Sequence, residues 1–207
     1  MSHRFAEIAF TDAVKAAQEQ YGSREQNQRL EQRGGSNAAL GEEEAAFVAA
    51  RDSFYLATLS ETGWPYVQHR GGPRGFVKVL GPTTLVYADF RGNTQLISAG
   101  NATGNDRVAL ILMDYAHRRR LKILGHIRFD DASVAAPELL AAVALPDYRA
   151  QVERAAVIEV AAFDWNCPRH ITPRFTEAEV RAAVQPLHDR IAALEAQLSA
   201  LSVAGPS

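Results

Sequence analysis

The sequence predicts a mainly β protein, an antiparallel barrel that is closed or partly closed, with accessory helices at both ends. Three observations carry this. Short segments rich in β-branched and aromatic residues alternate with Gly and Pro at strand-and-turn spacing, first over 54–114 and then over 120–162. Few helical stretches separate them, against the regular strand–helix alternation of a doubly wound fold. Helical patterning is concentrated before residue 52 and after Pro173.

The elements follow in order. From Thr11 to Glu31 the chain is rich in Ala, Gln, Glu and Arg, and Thr11 or Asp12 can serve as N-cap, so one or two polar surface helices are expected. Residues 33–37 read as a loop, and 40–51 as a helix whose three glutamates sit where the helix dipole favours negative charge. Strands are expected at 54–59, 66–70, 76–80, 84–89 and 108–113. The stretch 60–63 and the pair Gly81-Pro82 read as turns, which would make the first four strands successive antiparallel neighbours. A short helix is expected at 94–99, a sixth strand at 120–129, a helix with Pro in its first turn at 137–145, and a seventh strand at 155–162. After Pro173, Thr176 with Glu177 and Glu179 opens a helix in which Leu187, Ile191, Leu194, Leu198 and Leu201 step by four and three, an a/d stripe. Such a helix packs on its own barrel or meets a second subunit. The expected division is a helical extension over 1–44, a barrel domain over 45–172, and an amphipathic helix and tail over 173–207.

With 207 residues, 47% of them hydrophobic and 22% charged, the chain suits one globular domain with extensions. A net charge of -2 offers no overall attraction to nucleic acid or anionic lipid, so anion binding would have to come from local Arg and Lys clusters. The single Cys167 excludes an internal disulfide and fits a reducing compartment. The polar start and the lack of any apolar run near the roughly 20 residues that span a bilayer complete the expectation of a cytoplasmic protein. No Walker motif, nucleophile elbow, Gly-x-Gly-x-x-Gly fingerprint or paired metal-ligand spacing occurs.

Four constellations carry chemistry. In Trp64–Lys78, alternation puts Gln68 and Arg70 on one strand face and Val67 and His69 on the other, and Gly71-Gly72 permits close approach of backbone or ligand. The same pattern also fits a solvent-exposed edge strand followed by a loop. In Tyr87–Gln95, a strand end passes through a Gly turn into a helix start, where free N–H groups and Arg91 suit a phosphate. In His117–Lys122, Arg120 and Lys122 share a face; solvated charge is the commoner meaning of such a run, and it is too short and too poor in aromatics for a nucleic-acid patch. The segment Asp164–Pro173 gathers Trp165, Cys167 and His170 close to two prolines, Pro168 and Pro173, and can hold side chains against a ring system. Cys167 there reads as an inert buried thiol rather than a redox group.

Together, residues 54–58, 63–72, 88–93, 118–122 and 165–168 resemble the corresponding motifs of the pyridoxamine 5'-phosphate oxidase-like flavoproteins, and the resemblance covers about Ala45 to Thr172. It implies an antiparallel FMN-binding split barrel that works as a homodimer, with FMN at the interface of two barrels. Carried over by motif, the cofactor residues are Gln68, His69 and Arg70 on the second strand, Lys78 on the third, Arg91, Gly92 and Asn93 at the turn, Arg120 and Lys122 along the flavin, and Trp165 and Asn166 reaching it from the partner subunit. An Arg-Leu-His-Asp-type substrate segment is missing, since Leu187-His188-Asp189-Arg190 falls inside a helix, so the substrate is left open. The implied activity is that of an FMN-dependent oxidoreductase with a small-molecule substrate or electron donor. The alternatives are a non-catalytic flavin-binding or sensing module, or the same fold using a deazaflavin.

Overall fold

The computed structural model describes residues 3–32, 37–165 and 168–203. Four helices come first: α1 (Arg4–Ala9), α2 (Asp12–Gln20), α3 (Arg24–Gln32) and α4 (Glu42–Ala49). Four strands follow: β1 (Ser53–Leu59), β2 (Pro65–Gly71), β3 (Val77–Gly81) and β4 (Thr84–Phe90). Then come α5 (Ile97–Gly104), β5 (Arg107–Asp114), β6 (Arg119–Asp131), α6 (Pro137–Val143), β7 (Val152–Trp165) and α7 (Glu177–Val203).

The seven strands form one antiparallel sheet in the order β2-β1-β5-β6-β7-β4-β3. The sheet does not close, because β2 and β3 are its two edges. The expected succession of four neighbours therefore fails between them. Two hairpins, β1–β2 and β3–β4, form as the turn chemistry predicts, with the Gly63 N–H donating to Ser60 O in the first. The 72–76 link then carries the chain from one edge to the other. It is pinned at its ends by Gly72 N–H to Asp52 O (2.9 Å) and Gly75 N–H to Arg51 O (3.1 Å), with Gly75 at φ +76°, a value L side chains rarely adopt.

Alternation along the strands builds the core. Phe54 and Leu56 of β1, Leu110 and Leu112 of β5 and Leu121 and Ile123 of β6 point into it with Ile158 of β7, closed over by Phe47 and Val48 of α4. A smaller cluster forms on the other face of β4 and β7, where Val143 and Leu139 of α6 cover Val86, Ala88 and Val157. Thr11 caps α2 by accepting from the Val14 N–H, as its residue type predicts.

Three local findings depart from the expected elements. Helix α1 was not foreseen: at six residues it is too short to show a period, yet it buries Ala6 and is capped by the His3 imidazole, which accepts from the Ala6 N–H. The short helix expected at 94–99 starts later, at Ile97, because Thr94 (φ 57°) and Leu96 (φ 55°) take left-handed conformations that no helix interior allows. The stripe on α7 does not pack on the barrel: Leu187, Ile191, Leu194 and Leu198 are all exposed. The side chain of Leu201, Asn166, Cys167 and the loop residues 33–36 lie outside the described residues. Among the described residues no helix is long and apolar enough to cross a membrane.

Candidate functional site

Register explains how the site assembles. Arg70 sits opposite Phe54, with its side chain on the face of β2 shared with Gln68, while His69 faces away and meets the Tyr55 ring at 5.6 Å. Asp89, near the end of β4, lies directly opposite Arg154 of β7. Its carboxylate is 3% exposed and takes Arg70 Nη1 on one oxygen (2.7 Å) and Arg154 on the other (Nε 2.9 Å, Nη2 2.8 Å). This triad ties the free edge strand β2 to the β4–β7 part of the sheet, with which it shares no ladder. The β4–α5 connection is held from the same side. Ser98, 1% exposed, donates its hydroxyl to Gln68 Oε1 (3.1 Å), and the Asn101 amide donates to Thr58 Oγ1 (2.9 Å).

These contacts enclose a cavity of about 210 Å³ lined by Gln68, Arg70, Gly92, Asn93, Ser98 and Arg154, among others. An adjoining cavity of about 250 Å³ shares Arg70, Asp89 and Gly92 with it and adds His69, Arg91 and Tyr148. Six of the residues singled out from the sequence are thus brought together at one sheet edge.

The chemistry of the walls is that of an anion or polar-group receptor. Arg70 spends Nη1 on Asp89, but its Nε is buried without a hydrogen-bond partner among the described residues. Gln68 accepts from Ser98 and so keeps its amide N–H groups for donation. The first turn of α5 begins with no side-chain cap on Leu96, and Ile97, Ser98 and Ala99, whose N–H groups have no acceptor within the helix, line the cavity. The charge is balanced: Arg70 and Arg154 face Asp89 and Glu153. Behind the site, burial raises the Tyr87 phenol well above its usual range, opposed by Arg70 and reinforced by Asp89, so the hydroxyl is neutral at physiological pH. Its oxygen is likewise buried and unpartnered among the described residues.

Two of the six residues at the sheet edge are already held by neighbours, and the remaining sequence-derived residues lie elsewhere. Arg91 is exposed at the rim, held by Gln151 (3.4 Å) and Glu153 (3.7 Å), and its backbone N–H is taken by Gln151 O. Asn93 folds its side chain onto Gln95 through two hydrogen bonds. Lys78 is half-buried on edge strand β3 opposite Val86 and lines neither cavity. Lys122 belongs to a third depression, of about 230 Å³, on the outer sheet face with Tyr55, Val67 and Ile111, where Asp164 neutralises it (3.1 Å). Arg120 is half-buried on the same strand face, with its Nε buried and unpartnered among the described residues. Trp165 is committed within its own chain: its indole N–H donates to Glu44 (2.7 Å), its ring meets Phe47 edge-on at 4.8 Å, and Arg119 lies over it at 4.4 Å. These contacts hold the Trp165 ring against α4 and Arg119 of its own chain.

Sequence reasoning missed Asp89, Ser98, Glu153 and Arg154. Asp89 stood inside a quoted motif and had a signal, a carboxylate on an otherwise apolar strand. Arg154 had none, because only the β4–β7 register brings it to the site.

An open antiparallel sheet with a polar receptor between one edge strand and a helix start defines the class of protein. The sequence model of pyridoxamine 5'-phosphate oxidase matches residues 40–166, and the chain belongs to that family. Among solved structures it is similar to HupZ of Group A Streptococcus, with 12% identity over 66% of this chain and 99% of that one at a TM-score of 0.50. Similar too are an FMN-binding protein from Syntrophomonas wolfei (10% identity, 75% and 97% covered, TM-score 0.42) and an FAD-binding protein from Mycobacterium smegmatis (11%, 62% and 96%, TM-score 0.43). At 12% identity the likeness to HupZ bears on fold alone. No curated protein matches the sequence.

Proposed function

We propose that the chain binds FMN as a homodimer and acts as an FMN-dependent oxidoreductase on a small molecule. The observation that carries this reading is the buried, unpartnered Nε of Arg70 beside the uncapped start of α5, in a cavity that Gln68, Gly92 and Asn93 complete. A phosphate set there would receive a guanidinium hydrogen bond and the first N–H groups of a helix, the arrangement that binds phosphate in many folds. At about 210 Å³ the cavity falls below the roughly 300–1,000 Å³ that encloses a whole drug-sized ligand, so it suits the phosphate end, with the ring system beyond it. The outer sheet face supports a second copy there: Tyr55, Leu59 and Val67 are exposed around the apolar depression that holds Lys122.

In this reading the flavin, when bound, supplies hydride transfer, and the protein supplies orientation and exclusion of water. Arg70, Gln68, Gly92 and Asn93 hold the phosphate end. Arg91 adds rim charge, and His69, Lys78, Arg120 and Lys122 are the further cationic or donor groups toward the flavin. The barrel domain 45–172 carries the site, and 1–44 and 173–207 are its extensions.

Arg70→Met is expected to weaken FMN binding about 10- to 100-fold, the equivalent of about 1.5–3 kcal/mol for a charge-assisted bond. Arg91→Ala should cost less than about 1 kcal/mol, because that guanidinium is exposed and already paired. Both are read by flavin fluorescence quenching on folded protein, with circular dichroism confirming the fold. Wild-type affinity in Arg70→Met would withdraw the phosphate assignment. Mass spectrometry of the ligand released on denaturation tests the cofactor itself, and a deazaflavin there would replace FMN in the proposal.

A further inference from the structure

The 27-residue helix α7 carries an apolar seam that runs past the five positions evident from sequence. Val180 and Val184 extend it toward the N-terminus, so that Val180, Leu187 and Leu194 occupy d and Val184, Ile191 and Leu198 occupy a. Five of these six side chains are exposed, and Val184 is half-buried. A long helix with an apolar stripe left to water is poorly stabilised, since most helical stability in proteins comes from packing such a face.

We infer that α7 pairs in parallel and in register with α7 of a second copy of this chain, forming a two-stranded coiled coil. Three features of the helix select that occupant. In the central part of the seam, β-branched Val184 and Ile191 at a with Leu187 and Leu194 at d is the combination that favours two parallel strands, and only the flanking Val180 at d and Leu198 at a depart from it. Arg190 falls at g and Glu195 at the following e, so a parallel pair sets Arg190 of each copy against the partner's Glu195, twice by symmetry. Among the described residues no ion pair holds Arg190 or Glu195 within the chain, whereas Arg181 is paired with Glu177 on the same helix, and Gln185 donates to Asp189. Pro186 falls at c, so its ring lies outside the a/d seam.

The inference stands on α7 alone and needs no flavin, so its test is separable from that of the proposed function. In full-length Cys167→Ser protein, Val180→Cys and Leu194→Cys place single thiols at d positions about 21 Å apart along the helix. Both are expected to form intermolecular disulfides under mild oxidation, while Ala196→Cys, at the outward f position, does not. An antiparallel pair could bring like positions together at one crossing point only. Cross-linking at one d position or at neither, or equal cross-linking at Ala196→Cys, overturns the proposal. A charge test runs in the Leu194→Cys background. Glu195→Arg sets arginine against arginine and should slow cross-linking about tenfold, and adding Arg190→Glu should restore it. A double variant no faster than Glu195→Arg also overturns the parallel arrangement.

Discussion

Asp89→Ala is expected to cost the folded protein about 3–5 kcal/mol, nearer the lower figure, because it strips the shared partner from two guanidinium groups held mostly out of water. The side chains of Arg70 and Arg154 are 17% and 19% exposed, and Asp89 is 4% exposed. The cost arises less from lost attraction than from the uncompensated charges left behind. Their access to the cavity, which lets water reach them, is what favours the lower figure. The carboxylate also links edge strand β2 to the β4–β7 strands, so the loss should fall on the edge that carries Gln68 and Arg70. Urea unfolding gives the magnitude. Removing all three charges, as Asp89→Leu with Arg70→Met and Arg154→Met, should restore most of the stability while FMN binding stays impaired. A single Asp89→Ala variant within 1 kcal/mol of the parent would show that the triad carries no net burden.

That triad also shows how far the sequence could be read. Gln68 and Arg70 were legible as a pair because strand alternation is a local rule, and β2 obeys it. The turn at 91–95 was legible because Gly and Asn mark such turns. Arg154 was not, since its place beside Asp89 depends on a pairing between strands more than 60 residues apart in the chain. The sheet order was hidden for the same reason. Turn residues report which strands are joined by hairpins, while the separation of β2 from β3 follows from β1 pairing with β5 and β4 with β7. The helix start was misplaced because Thr94 and Leu96, neither a residue that favours positive φ, adopt it beside the cavity; such strain costs on the order of 1–3 kcal/mol per residue and has no local sequence signal. The partner of the Trp165 indole N–H was equally hidden, because Glu44 lies 121 residues away in the chain.

Gly125→Ala is expected to be the most damaging single-methyl addition, because the new Cβ would stand 2.5 Å from the backbone oxygen of Glu159 and 3.1 Å from Ile158 Cγ2. A backbone atom cannot swing aside as a flexible side chain can, so strand β7 itself must move. The contact lies where the β6–β7 register shifts: Leu124 pairs with Ala162 and Gly125 with Val160, leaving Ala161 as the extra residue of a bulge. Bulges bend a strand and sharpen its twist. Here the bend separates the stretch of β7 that pairs with β4 and supplies Arg154 from the stretch that carries Asp164 and Trp165. Pushing β7 outward should therefore loosen both the Asp89–Arg154 contact and the Lys122–Asp164 pair, with a stability loss of about 3 kcal/mol, at the upper end for overpacking. Gly100→Ala is the matched control: nothing lies within 4 Å of its added methyl, and a helical Gly→Ala change should stabilise by about 0.5–1 kcal/mol. Thermal unfolding of the two variants should shift in opposite directions, and a Gly125→Ala protein as stable as the parent would mean that β7 is free to slide at the bulge and does not fix the site.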